Sequence, residues 1–187
     1  MNSRLRSSIL YAAETYYDLK EQELRAIERI EEMFMRKLLK TSKGCPIVQL
    51  YLTLGQVPAR FAIMKIRLMF LKYILDEEDS SMISRVLQLQ VKQPTKGDWA
   101  SSCLADLKLI KLTETFQDIK LMKKNKFEKM ISTKIDIAAL EYLKSRQKRK
   151  GSEMFYSEII MSEYLMPQTE LNISEKKRYV CCKEPDD

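Results

Sequence analysis

The chain has 187 residues, 45% of them apolar, with 33 Lys and Arg against 26 Asp and Glu and a formal net charge of +7. That suffices for one domain or two small ones, and the basic balance favours an anionic partner without naming one. The chain has no histidine, which excludes a Ser-His or Cys-His nucleophile.

With only 4 Gly and 5 Pro, the periodicity is helical nearly everywhere. The pattern predicts an all-α fold, an irregular array of about eight to ten helices. A first helix is predicted over Ser3–Tyr17. A second runs from Lys20 to Leu39, with Leu24, Ile27, Ile30, Phe34 and Leu38 at helical spacing and Glu21, Glu23, Glu28, Glu31 and Glu32 on its other faces. Pro46 suits the first position of a short helix that stops at Gly55. Pro58 opens the next helix, which ends at the acidic run Asp76-Glu77-Glu78-Asp79.

Ser80 or Ser81 caps a helix through Val91. The loop "QPTKGDW" follows, and Asp98 caps a helix from Trp99 to Ile110. Thr113 caps a short one. A long helix then covers Asn125–Arg149 and stops at Gly151. Ser152 starts another that ends before Pro167, and Ser174 a last short one.

The helix after Pro58 is unusual. Apolar residues circle it, interrupted by Arg60, Lys65, Arg67 and Lys72. Such a helix must be buried, and buried cations need partners or must reach past their stems. The longest apolar run, Phe61–Leu75, is broken by three of these cations and falls short of the roughly 18 to 20 residues of a membrane span. The start turns acidic soon after its short apolar centre, unlike a signal peptide. An intracellular protein is expected, in nucleus or cytoplasm, with no membrane partner.

The cysteines Cys45, Cys103, Cys181 and Cys182 show no CxxC spacing, so no zinc site is expected. Cys45 and Cys103 read as small hydrophobes. No phosphate-cradling glycine loop is present, and the terminal "EPDD" reads as a solvated tail. No catalytic residue, metal, cofactor or small-molecule ligand is implied.

Charge is uneven. Lys120–Lys150 holds eleven cations against Glu128, Asp136 and Glu141, a net +8, so the rest of the chain nets −1. A Lys-rich helix face is in general simply solvated. Here the charge is concentrated, and Phe127, Tyr142, Phe155 and Tyr156 lie within or beside it. A basic face binds nucleic-acid phosphates through counterion release. "KSRQKRK" also fits a nuclear-localisation signal.

Six stretches, in one order over residues 5–178, resemble one family. "LRSSILYAAETYYDL" resembles the "LLYGSETW" segment that follows the polymerase palm in reverse transcriptases of non-LTR retrotransposons. "IERIEEMFMRKLL" is similar to the helix after it. "CPIVQLYLTLGQVPARFAIMKIRLMFLKYIL" resembles the family's Pro-, Tyr-, Gly- and Arg-containing segment. "QPTKGDW" is similar to "NP-x-KGDW", "MKKNKFEKMI" to "MKK-x-x-FKK", and "EYLMPQTELNISE" to the family's "YL-x-P" segment. Thr53, Ile66 and Lys72 depart from it, standing where the family has Glu, Arg and His.

The resemblance is to the thumb and linker of elements whose restriction-enzyme-like endonuclease lies after the polymerase. It implies a thumb-like helical segment over 1–44, a helical linker core over 45–112 and a basic helical segment with a frayed tail over 113–187. It implies a truncated, non-catalytic remnant, since the palm's paired aspartates and the endonuclease have no counterpart in the chain. The implied partners are RNA or DNA backbone, and a polymerase palm where a parent polyprotein exists.

Candidate phosphate contacts are Arg60, Lys65, Arg67 and Lys72 on the apolar helix. In the basic segment they are Lys123, Lys124, Lys126, Lys144, Arg146, Lys148, Arg149 and Lys150. The competing reading is an ordinary core helix with snorkelling cations, in an α-helical protein-interaction module with no nucleic-acid role. A thumb lacking its palm is also expected to leave Pro58–Leu75 and "ILYAA" short of partners, giving loose packing or self-association.

Overall fold

The structure, a computed structural model, describes residues 4–95 and 97–148. The chain is all-α. The described residues form eight α-helices and one 3-10 turn and contain no strand. The helices are α1 (Arg4–Ile9), α2 (Glu21–Leu39), α3 (Ile47–Leu54), α4 (Ala59–Asp76), α5 (Met82–Lys92), α6 (Trp99–Leu109), α7 (Phe116–Leu121) and α8 (Lys124–Lys148). The 3-10 turn, Ala13–Thr15, follows α1. The helices expected after Ser152 and Ser174 lie outside the described residues.

Local chemistry sets most boundaries. Asp98 caps α6, its carboxylate accepting from the Ser101 N–H at 2.6 Å and the Thr95 N–H at 2.8 Å. Ser81 caps α5 by accepting from the Ser84 N–H. Gly55 closes α3 with φ 58°, and the Gln56 N–H reaches back to the Tyr51 carbonyl, the left-handed stop that glycine allows.

Two boundaries differ from expectation. The cap of α7 is Thr115, not Thr113. Thr115 and Asp118 form a reciprocal capping box, whereas Thr113 has Phe116 at the corresponding third position. The first helix does not reach Tyr17. It stops at Ile9, and the backbone turns left-handed at Ala12, φ 55°.

The described chain divides into two compact units, Met1–Glu28 with Pro58–Leu140, and Arg29–Val57 with Glu141–Asp187. In the first, α4 is the central helix and packs against the 3-10 turn, α5, α6 and α7. It buries Phe61, Ile63, Met64, Leu68, Leu71 and Ile74, as expected of its apolar circumference. α8 joins this unit through Phe127, Ile131, Ile135 and Ala139, an every-fourth-residue stripe that is almost wholly buried. "ILYAA" is sealed only at Ala13, while Tyr11 is 79% exposed.

In the second unit Met35, Cys45, Val48, Leu50, Tyr51 and Leu143 form the core. Among the described residues no single helix is long and apolar enough to cross a membrane.

The orientation of α2 corrects the sequence pattern. An apolar stripe ordinarily turns inward. Here Ile30 and Leu38 are exposed, while Glu28, Glu31 and Glu32 are buried. The reason is that each of these carboxylates has a partner: Arg60, the Tyr51 hydroxyl and Arg146 respectively.

Leu68 is completely buried near the middle of α4. Leu68→Ala is expected to lower stability by about 2–5 kcal/mol through lost burial and a residual cavity. Urea denaturation followed by circular dichroism measures it.

Candidate nucleic-acid interface

The cations of α4 turn toward carboxylates of their own unit. Arg60 Nε donates to Glu28 Oε1 at 2.5 Å, and its terminal nitrogens donate to Glu21 at 3.1 Å. The Arg60 guanidinium holds the Glu21 carboxyl below its ordinary range. Arg67 is nearly buried. Its Nε donates to Asp106 Oδ2 at 2.7 Å and its Nη1 to the Tyr16 carbonyl at 2.5 Å. Lys72 is 2% exposed. Its ammonium donates to the Asp76 carboxylate, one turn on, and to the Lys120 carbonyl at 3.2 Å. Lys65 is half-buried near Asp136.

Burial opposes these carboxylates unequally. Desolvation raises the Asp106 pKa even though Arg67 pulls it down, because removing a carboxylate from water costs more than one cation restores. Burial likewise raises Asp136 against the pull of Lys65. It also pushes the Cys103 thiol up, and both Cys45 and Cys103 are buried free thiols.

The basic segment presents a different picture. Lys123, Lys124 and Lys126 are exposed at the start of α8, and Lys129 and Lys134 follow, also exposed. No described carboxylate pairs with any of the five. Lys129 and Lys134 are not singled out by the sequence pattern, yet they add exposed positive charge to the same end of the helix. The first turn of α8 holds no acidic residue, so the positive end of the helix dipole adds to the lysines.

Phe127, in the same stretch, is fully buried and presents no ring to a base. Lys120 donates to Asp79 at 2.8 Å.

In the second unit Lys144 is exposed. Arg146 donates to Glu32 at 2.7 Å and lies over the Tyr142 ring, 5.8 Å from its centroid. The side chain of Lys148, and Arg149, Lys150, Phe155 and Tyr156, lie outside the described residues. The structure thus groups the candidates by charge environment. Arg60, Arg67, Lys72 and Arg146 sit on carboxylates, and Lys123, Lys124, Lys126 and Lys144 face solvent. Among the described residues no three His, Cys, Asp or Glu side chains converge to hold a metal ion.

No known protein family, curated protein or solved structure matches the chain.

Arg67→Met is expected to cost about 3–5 kcal/mol, because Asp106 is left buried without its counter-charge. Adding Asp106→Leu should recover most of that loss, and a double-mutant cycle of urea midpoints reads the coupling.

Asp136 supplies a pH signature. Its folded pKa lies above its unfolded value, so the folded state binds more protons, and the residue's contribution to stability falls as pH rises through that window. Asp136→Asn removes this dependence. The advantage of the variant over wild type should grow as pH rises above about 4, the ordinary value for an unfolded aspartate, and level off once the folded carboxyl has ionised. Denaturation midpoints across that range check the sign.

Proposed function

We propose that this chain is a non-catalytic, α-helical nucleic-acid backbone-binding element, derived from the thumb and linker of a non-LTR retrotransposon reverse transcriptase. One observation carries the binding reading. The candidate cations divide into a paired set and an exposed set, and five exposed lysines lie just before or within the first three turns of α8. Lys123, Lys124, Lys126, Lys129 and Lys134 have no competing carboxylate, so phosphates meet them without breaking an existing ion pair. The six ordered sequence segments support the origin. Arg60, Arg67 and Lys72 act in this reading as positioning residues that hold α4 in place.

Binding of this kind depends on charge and not on sequence. Association releases counterions, and on duplex DNA the logarithm of affinity falls with the logarithm of salt by about 0.9 per phosphate neutralised.

The test is fluorescence anisotropy of the full chain with labelled duplex RNA and DNA over a salt series. Replacing Lys123, Lys124, Lys126, Lys129 and Lys134 by Gln should weaken binding similarly across sequences. It should also flatten the slope on DNA by up to about 0.9 for each phosphate that no longer meets a lysine. An affinity that ignores salt, or a slope that the five substitutions leave unchanged, overturns the reading.

A second reading, a protein-interaction module, is favoured by a separate feature. α5 keeps much of its apolar surface in solvent.

A further inference from the structure

We propose that the cleft between α5 and α7 is a binding site for a small amphipathic monoanion, a hydrocarbon body ending in one carboxylate. The proposal is independent of nucleic-acid binding. α5 and α7 each pack on α4, and residues of all three helices line a cavity of about 420 Å³. That volume falls within the roughly 300 to 1,000 Å³ of small-molecule sites. The whole lining belongs to the first unit.

Much of the lining is hydrocarbon. Ile74 and Leu75 come from α4, Leu87 and Val91 from α5, and Phe116 from α7. Ile74 and Leu87 are already buried by the protein, whereas Val91 keeps 47% of its surface in solvent. An apolar occupant therefore gains a wall that the fold leaves partly open. Ser84 also lines the cavity, but its hydroxyl is committed, donating to the Ile74 carbonyl at 3.0 Å.

The polar groups set the charge and the head of the occupant. Lys92, Lys120 and Asp79 line the cavity, and two cations against one acid leave a single net positive charge. Lys120 donates to Asp79 at 2.8 Å, so the uncompensated charge is that of Lys92. Lys92 is exposed at the end of α5, and no described carboxylate pairs with it. Gln88 on one wall and Gln117 on the other carry side-chain amides that bond to no described residue.

A carboxylate brings one negative charge and two acceptor oxygens, which one ammonium and the amide N–H groups can serve. A phosphate dianion would exceed the one unpaired cation. α7 is only six residues long, about 9 Å. The cleft is therefore short for a partner helix, whose anchors at i and i+7 stand about 10 Å apart.

Calorimetric titration of the full chain with hexanoate, octanoate and decanoate tests this, in salt high enough to screen the lysines of α8. Saturable binding of one anion per chain is expected. Each added methylene that enters the cavity should tighten it about three- to fourfold. Methyl resonances of Ile74, Leu87 and Val91 should shift on binding. Lys92→Gln should weaken octanoate by about two- to fivefold and leave octanol unchanged, a split that a merely structural role would not produce.

Val91→Glu places a carboxylate in the wall and should weaken octanoate about tenfold or more. Its circular dichroism should be unchanged, since Val91 is half-exposed. Replacing the five lysines of α8 by Gln should leave octanoate binding intact. Several results overturn the proposal. These are no saturable binding, octanoate and octanol bound alike, shifts confined to other methyls, or affinity lost with the α8 lysines and kept in Lys92→Gln and Val91→Glu.

Discussion

A guanidinium near the centre of the first unit organises what surrounds it. Arg67 is held by Asp106 from α6 and by the Tyr16 carbonyl from the chain beyond the 3-10 turn. An ion pair removed from water contributes little net stability, because desolvation offsets most of the attraction. Its consequence is positional. α6 can present Asp106 to Arg67 in one rotation only, and the Tyr16 carbonyl can accept only if the chain before α2 crosses α4 at that level. Trp99, at the start of α6, strengthens the same arrangement by donating from its indole nitrogen to the Glu14 carbonyl at 2.8 Å. Three segments distant in sequence are thus fixed by donors on α4 and α6, each using an acceptor that would otherwise be unsatisfied.

The same requirement explains the rotation of α2. Turning its apolar stripe inward would bury hydrocarbon but would leave Arg60 and Arg146 without Glu28 and Glu32. A partly buried cation lacking a counter-charge costs several kcal/mol, comparable to burying a large aliphatic side chain or more. The charged face therefore faces inward, and Ile30 and Met33 remain in solvent. Along α2 and α4 together eight cations stand against six acids, and most of the α4 cations are taken up by carboxylates. α8 holds seven cations against three acids, and its described lysine side chains are left facing solvent.

How far the sequence could be read depends on the range of the interaction. Caps act over three or four residues, and so Asp98, Ser81 and Gly55 were legible where they stand. At α7 the sequence reading falls on Thr113 although the signal for Thr115 is local, since Asp118 three residues on completes its box and Thr113 has no such partner. Lys72 and Asp76 are one helical turn apart, and the acidic run after α4 could be recognised as a neighbour for its cations. By contrast, Arg60 with Glu28 and Arg67 with Asp106 are partners separated by 32 and 39 residues. No periodicity encodes such pairs. The contacts of the chain after α1 belong to the same class, since the Glu14 and Tyr16 carbonyls accept from Trp99 and Arg67, far away in sequence. The burial of Phe127 amid lysines was hidden for a simpler reason. A basic helix still needs one apolar stripe, and the sequence does not say which of its aromatics belongs to it.

The long helix α8 shows how these constraints meet. Three lysines at its N-terminal end oppose the helix dipole, at a cost of about 0.3–1 kcal/mol each when exposed. No acidic residue in the first turn offsets them. The helix is held instead by its stripe, Phe127, Ile131, Ile135 and Ala139, whose burial is worth far more than the terminal repulsion. Because the stripe bears the folding energy, the lysines are not needed for it, and their removal should leave the fold intact. A surface that is electrostatically unfavourable in isolation, and dispensable for packing, becomes favourable when a polyanion lies along it. The lysines of α8 differ in this from the cations of α4, which already have their anions inside the protein.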